Sequence, residues 1–258
     1  MSERPTRRDV IKYGGIAGGA GLLAGCAGNT EQTPGPGDDA TETSTPTETS
    51  TPTEDPSYTV ELSPVGEVTF EEVPGDVMAY SPQYVDMLAA FGHADSLNSM
   101  GFLSYADTME YFFTHLDGVE IPPKDDLTQL FSNGSFDKEL LYELDSDVHL
   151  QDPAWLSNFD GWSTADTEEI RDNVGPFFAN RYSREHTQPP KGWRDGYRYY
   201  TIWELSGRVA QVFQEEARFA ALQEEYEKLY VRVRSNLPRK AERPTVGLIA
   251  FYDGEFYP

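Results

Sequence analysis

Cysteine is nearly absent from this 258-residue chain: Cys26 stands alone, which excludes an internal disulfide framework. Lysine is scarce as well. Lys12, Lys124, Lys138, Lys191, Lys228 and Lys240 are the whole complement, and 20 basic residues face 44 acidic ones for a formal charge of −24. Such a surface repels nucleic acid and excludes it as a partner. Acid excess with little lysine suits a chain that stays hydrated in concentrated salt, where screening shrinks self-repulsion; an ordinary acidic protein is the plainer alternative. Catalytic motifs are missing too. There is no Gly-x-Ser-x-Gly elbow, no His-Glu-x-x-His helix, and no cysteine nucleophile once Cys26 is assigned elsewhere. His93, His115, His149 and His186 are scattered without metal-ligand spacing, so neither a metal site nor a cofactor is expected. Paired carboxylates such as Asp125-Asp126 are too common in so acidic a chain to mark an active site.

What is present begins with an address. Residues 6–12 read Thr-Arg-Arg-Asp-Val-Ile-Lys, similar to a twin-arginine export signal. An apolar stretch follows from Tyr13 to Leu23, too short and too glycine-rich to span a bilayer. Leu23-Ala24-Gly25-Cys26 resembles a lipobox, in which cleavage before Cys26 leaves its thiol to carry a lipid. Residues 1–26 are therefore expected to be removed up to Cys26, anchoring the chain to the outer face of the cytoplasmic membrane. Residues 27–57 are almost wholly Thr, Glu, Pro, Gly, Ser and Asp. No apolar side chains offset the entropy of ordering them, so a disordered stalk is expected. Asn133-Gly134-Ser135 fits an N-glycosylation triplet, a pattern that often arises by chance.

From residue 58 the pattern becomes that of a folded body. Val77-Met78-Ala79-Tyr80 reads as a buried strand; Ser81-Pro82 then opens a helix whose Tyr84, Val85, Leu88 and Phe91 share a face, closed by Gly92. A second unit runs from Leu97 to Phe102 and into Thr108–Phe113. A third has Leu140, Leu141 and Leu144 on one helical face, an Asp145-Ser146-Asp147 turn and a strand Val148-His149-Leu150. This alternation predicts an α/β lobe over 58–200, Rossmann-like, with a parallel sheet. Ligands gather at the carboxyl ends of such strands, here Tyr80-Ser81, Phe102 to Tyr105 and Asp152 to Trp155. From Ile202 to Val233 apolar residues recur every three or four positions, which predicts one long helix (201–237) of roughly 50 Å. Thr245–Phe251 then reads as a fresh strand, opening a further lobe over 244–258.

Three stretches resemble the helix-hinged substrate-binding proteins that serve ABC importers of ferric siderophores, haem and cobalamin. They are Tyr80-Ser81-Pro82 through Gly92; Phe136 through Val148, where Ser146 replaces the family's proline; and the long helix with the strand after Pro244. With the acid excess and the lipobox pointing to a surface lipoprotein of a halophilic archaeon, the resemblance implies that the chain captures a chelated iron or corrinoid ligand and hands it to an ABC permease. It implies ligand contacts at Tyr80, Ser81, Phe102, Tyr105, Asn133 and Trp155, with Tyr252 as the first contact from the second lobe. It also implies that Glu139, eight residues before Asp147, docks the permease. Each aromatic has a plain core role as its alternative, and Glu139 that of a solvated helix face. The family's second lobe, about 100 residues or more, is represented here only by its first strand, so most of it is expected to be missing. A non-transporting surface protein and a secreted hydrolase are the competing functions. A cationic cluster (Arg181, Arg184, Lys191, Arg194, Arg198) interleaved with Tyr182, Trp193, Tyr197, Tyr199 and Tyr200 suits an anionic iron chelate, or simply pairs with surplus acids.

Overall fold

A computed structural model describes residues 56–185, 187–247, 249–252 and 255–257. The export signal, the lipobox with Cys26, all but the end of the stalk, and His186 lie outside the described residues. Two antiparallel strands come first, β1 (Tyr58–Leu62) and β2 (Gly66–Phe70), with Leu62 opposite Gly66. Their alternation turns Val60, Leu62 and Phe70 inward and Glu61 and Glu67 outward.

The centre of the lobe is a parallel sheet. β3 (Val77–Ala79), β4 (Leu97–Met100), β5 (Thr128–Gln129) and β8 (Val148–Leu150) lie in the order β5-β4-β3-β8. Between them in sequence comes a hairpin, β6 (Phe131–Ser132) and β7 (Ser135–Phe136), turned by Asn133 and Gly134, both at positive φ. An Asn-Gly pair supplies that two-residue turn at least steric cost. A parallel bridge from His149 to Phe177 extends the sheet beyond β8. Because β4 and β5 step one way from β3 while β8 lies on its other side, the order reverses between β3 and β8. That reversal opens a crevice at their carboxyl ends.

Both faces of the sheet are covered, as a parallel sheet requires. Along β3 the side chains alternate: Val77 and Ala79 join a core cluster with Leu88, Phe91 and Val209, while Met78 and then Tyr80 join another with Phe136, Leu141 and Ile170. Helix α1 (Pro82–Phe91) starts from an extended Ser81 with proline in its first turn. It stops at Gly92, whose φ of 83° lets its N–H reach Ala89 and that of His93 reach Leu88. Helix α2 (Ser104–Phe113) follows β4. In α3 (Lys138–Leu144) the Asp137 carboxylate accepts from the Glu139 N–H at the start, and Asp145 at φ 45° ends the helix. A short helix α4 (Pro153–Leu156) follows β8, and α5 (Thr164–Asn173) opens with a reciprocal Ser163–Asp166 capping box. The strand–helix order and the parallel sheet agree with the α/β lobe read from the sequence.

After the single turn α6 (Tyr182–Glu185), the structure departs from the expected rod. Residues 202–233 are not one helix. They form α7 (Ile202–Val212) and α8 (Glu216–Asn236), separated at Phe213–Glu215. Gln214 adopts φ 55°, its N–H donates to Gln211 and that of Glu215 to Ala210, the pattern of a Schellman stop. Phe213 is buried there, its ring 4.9 Å from that of His93. Beyond the stop the chain reverses: Phe219 returns to Gly207, and Tyr226 to Trp203 at 4.8 Å between ring centroids. The expected single rod is therefore an antiparallel helix pair, whose second member rises about 32 Å over its 21 residues. None of its residues is buried, and it is not apolar enough to cross a membrane.

The strand expected over 245–251 is also shifted. Residues 244–247 form no regular element, with Val246 exposed, and the extended segment is β9 (Ala250–Tyr252), paired antiparallel with β10 (Glu255–Tyr257). A strand forms where it finds a ladder partner, and here that partner follows rather than precedes it.

Candidate ligand-binding site

The crevice between β3 and β8 is lined by what each strand ends in. β3 runs directly into Tyr80 and Ser81, β4 into Gly101 and Phe102, and β8 into Gln151, Asp152 and, through α4, Trp155. These ends converge. The Tyr80 and Trp155 rings lie 4.4 Å apart, Tyr80 and Phe102 6.2 Å, and Phe102 meets Tyr105 edge-on at 5.6 Å. Gly101 makes the approach possible: its N–H donates to the Tyr80 carbonyl, and a Cβ there would sit 2.5 Å from that oxygen. Phe131 and Phe159 extend the aromatic surface, at 5.3 Å from Phe102 and 4.5 Å from Trp155 respectively.

One cation sits on these rings. The Arg181 guanidinium lies 4.5 Å from the Trp155 ring centre and 5.4 Å from that of Tyr80, and its Nη1 donates to Ser81 Oγ at 3.0 Å. Its backbone N–H donates to Asp152 Oδ2 at 2.9 Å. Asp152 is only 1 % exposed, and it accepts also from the Ala154 N–H and the Tyr197 hydroxyl. Burial raises its pKa to about 6 against the opposing pull of the Tyr197 hydroxyl and the backbone donors. Burial and the neighbouring Asp152 charge push the Tyr197 phenol upward, so it remains a donor.

Of the residues expected at the site, Tyr80, Ser81, Phe102, Tyr105 and Trp155 are brought together. Tyr80 and Ser81 are buried and form its floor, whereas Phe102 and Trp155 are half-buried and Tyr105 is 42 % exposed. Asn133 is exposed at the tip of the β6–β7 hairpin, where its backbone makes the turn. Glu139 is exposed in the first turn of α3. Tyr252 falls in β9, and its side chain is outside what is described. The cationic–aromatic run divides: Arg181 joins the site, while Arg198 lies over Tyr200 and pairs with Glu204 at 3.1 Å. Asp152, expected at the end of the third strand, and Phe159, which the sequence did not single out, are part of the arrangement. His149 is fully buried in β8, 5.0 Å from the Phe177 ring, and burial lowers its pKa to about 4. Among the described residues no group of three or more His, Cys, Asp or Glu could hold a metal ion.

The strand ends thus present an aromatic surface with a fixed guanidinium, a match for a flat or aromatic ligand carrying negative charge. Clefts of about 580 and 590 Å³ lie elsewhere, one lined by Val65, Thr167, Arg171 and Trp193 and the other by Ala106, Phe113, Leu116 and Ile121.

No family model and no curated protein sequence matches the chain. Among solved structures it is similar to the iron uptake ABC transporter substrate-binding protein PiuA from Streptococcus pneumoniae, at 17% identity and a TM-score of 0.42 over 69% of this chain and 54% of that one. It is similar also to the siderophore binding protein BauB, solved with two acinetobactin molecules and ferric iron, at 12% identity and a TM-score of 0.48 over 78% of this chain and 60% of that one. CeuE of Helicobacter pylori, solved with Ni(II), aligns at 14% identity and a TM-score of 0.44 over 69% of this chain and 51% of its own. The chain spans just over half the length of these structures.

Proposed function

We propose that the lobe captures a chelated metal nutrient (a ferric siderophore, haem or a corrinoid) for an ABC importer, as an exported lipoprotein held to the outer face of the membrane through Cys26. The observation that carries this reading is the convergence of Tyr80, Phe102 and Trp155 at the switch point of a parallel sheet, with Arg181 fixed over two of the rings. Aromatic faces supply apolar contact to a bulky chelate, and the guanidinium meets carboxylate or catecholate oxygens. The order of twin-arginine pair, apolar stretch and lipobox supports export and anchoring, and the exposed Glu139 on α3 is a suitable contact for a basic socket in the permease.

The test is tryptophan-fluorescence quenching by a panel of ferric catecholates, ferric hydroxamates, haem and cobalamin in concentrated salt. Saturable quenching by a member of the panel, weakened about tenfold or more by Trp155→Ala or Arg181→Leu, is expected. Quenching that neither substitution alters, or none by any ligand, refutes the assignment. Labelling with radioactive lipid precursor, lost in Cys26→Ser, tests the anchor.

A further inference from the structure

The reverse side of α1 carries a second cavity, of about 350 Å³, between that helix and the α7–α8 pair. Met87, Phe91, Phe219 and Leu222 make its walls largely apolar, and Trp203 adds an indole that packs at a tilt against Phe219 and Tyr226. The polar groups at this cavity are few: Asp86, Gln83 and Ser206. Asp86 stands at the rim, exposed on its outer side, and makes no hydrogen bond or ion pair among the described residues. Desolvation by the walls on its inner side raises its pKa, with no cationic neighbour acting to lower it. The Gln83 side-chain oxygen is enclosed by protein, with no hydrogen-bond partner among the described residues, so Asp86 is the acceptor that a ligand can reach. A partly desolvated carboxylate without a counter-ion is costly, and in this chain it shares a cavity with an indole, the aromatic face best suited to a cation.

We propose that this cavity is a separate binding site for a small organic cation: a protonated amine on an apolar body. The volume falls at the low end of small-molecule sites, which span about 300–1,000 Å³. The Asp86 carboxylate calls for a donor, which an ammonium group supplies together with the missing positive charge. A neutral ligand would leave Asp86 uncompensated, and an anionic one would add repulsion. Ile202, 55 % exposed, and Leu222, 40 % exposed, line a mouth open to solvent, so entry needs no rearrangement. Nothing here depends on the iron-chelate reading, because Asp86 and Trp203 belong to neither the aromatic surface nor its support.

The experiment is calorimetric titration of the full chain near neutral pH with phenethylamine, 2-phenylethanol and phenylacetate, which share a ring and differ in charge. Saturable binding of the amine is expected, about tenfold or more tighter than that of the alcohol, with none of the acid. Asp86→Asn should remove the preference for amine over alcohol while leaving quenching by iron chelates unchanged, and Trp203→Leu should weaken the amine. Amine binding no tighter than about 1 mM, equal binding of amine and alcohol, or an unaltered preference in Asp86→Asn would each overturn the proposal. The comparison of amine with alcohol on the unaltered chain stands even if a variant fails to fold.

Discussion

Burial of His149 makes a quantitative prediction about acid stability. The imidazole is fully enclosed in the central sheet and neither ring nitrogen makes a hydrogen bond of ordinary geometry. Burial lowers its pKa from 6.5 to about 4, with the Gly175 and Pro176 carbonyls offsetting part of that. Between those values the unfolded chain binds a proton that the folded chain refuses, so stability falls as pH drops through this window. The full difference is about 3 kcal/mol, and about 2 kcal/mol of it is felt by about pH 5. Asp152 works the other way. Its folded pKa of about 6 lies above the ordinary 3.8, so the folded chain binds the extra proton and gains stability as pH falls from 6. Neither group is among the causes of the other's shift, so the two effects can be separated. In His149→Leu, of similar volume, the His149 effect is gone while those of Asp152 and the other carboxylates remain, common to both chains. Urea unfolding of both chains at constant high salt should show the variant gaining about 2 kcal/mol on the unaltered chain between about pH 7.5 and pH 5. A gap between the two chains that does not change with pH would refute the reasoning.

Further consequences can be measured directly. Gln214 occupies the left-handed stop between α7 and α8, so Gln214→Gly should raise the unfolding free energy by up to about 1 kcal/mol; a loss of that size would mean that the two run as one helix. Gly101→Ala places a methyl 2.5 Å from the Tyr80 carbonyl, and should cost about 1–3 kcal/mol in denaturant titration while blunting ligand quenching. Equal quenching would show that the β3–β4 approach does not shape the site. Tyr197→Phe removes a hydroxyl donor from buried Asp152, and should cost about 1–3 kcal/mol near neutral pH, less once Asp152 is protonated. A cost that stays the same in acid would mean that Asp152 does not draw on that donor.

The legible parts of this fold are those with local signals that agree with the tertiary answer. Val77 to Gly92 is readable because the apolar run, Ser-Pro start and glycine stop all demand the same strand–turn–helix. Tyr80, Phe102 and Trp155 follow because strand ends in a parallel sheet share an edge. The break at Phe213–Glu215 is hidden, since its left-handed residue is a glutamine where glycine would have marked a stop. The apolar stripe also continues across it, now split between the core and the face turned to α7. The β1–β2 hairpin is present in the alternation of 58–70, a signal that the strand–helix reading passes over. Asp152 is legible as a strand-end residue, but among 44 acids nothing marks its role; what distinguishes it is burial, which depends on Tyr197 and Arg181 arriving from 45 and 29 residues away.

That arrival explains how so acidic a chain can still hold a selective cation. Arg181 is fixed at both ends: its backbone N–H is tied to Asp152 at the end of β8, and its guanidinium to Ser81 at the end of β3. It therefore bridges the crevice before any ligand is present, and a ligand need not order a free arginine, a cost of about 0.5–1.5 kcal/mol per side chain. Position matters as much as order. An exposed charge is screened within about 3 Å at 1 M salt, whereas one seated over Tyr80 and Trp155 is partly shielded from mobile ions. The contribution of Arg181 to binding, taken as the difference between the chain and Arg181→Leu, should accordingly survive from dilute to concentrated salt. If it fades at the rate of a surface ion pair, the guanidinium is not seated on the rings in solution and the site does not recognise charge.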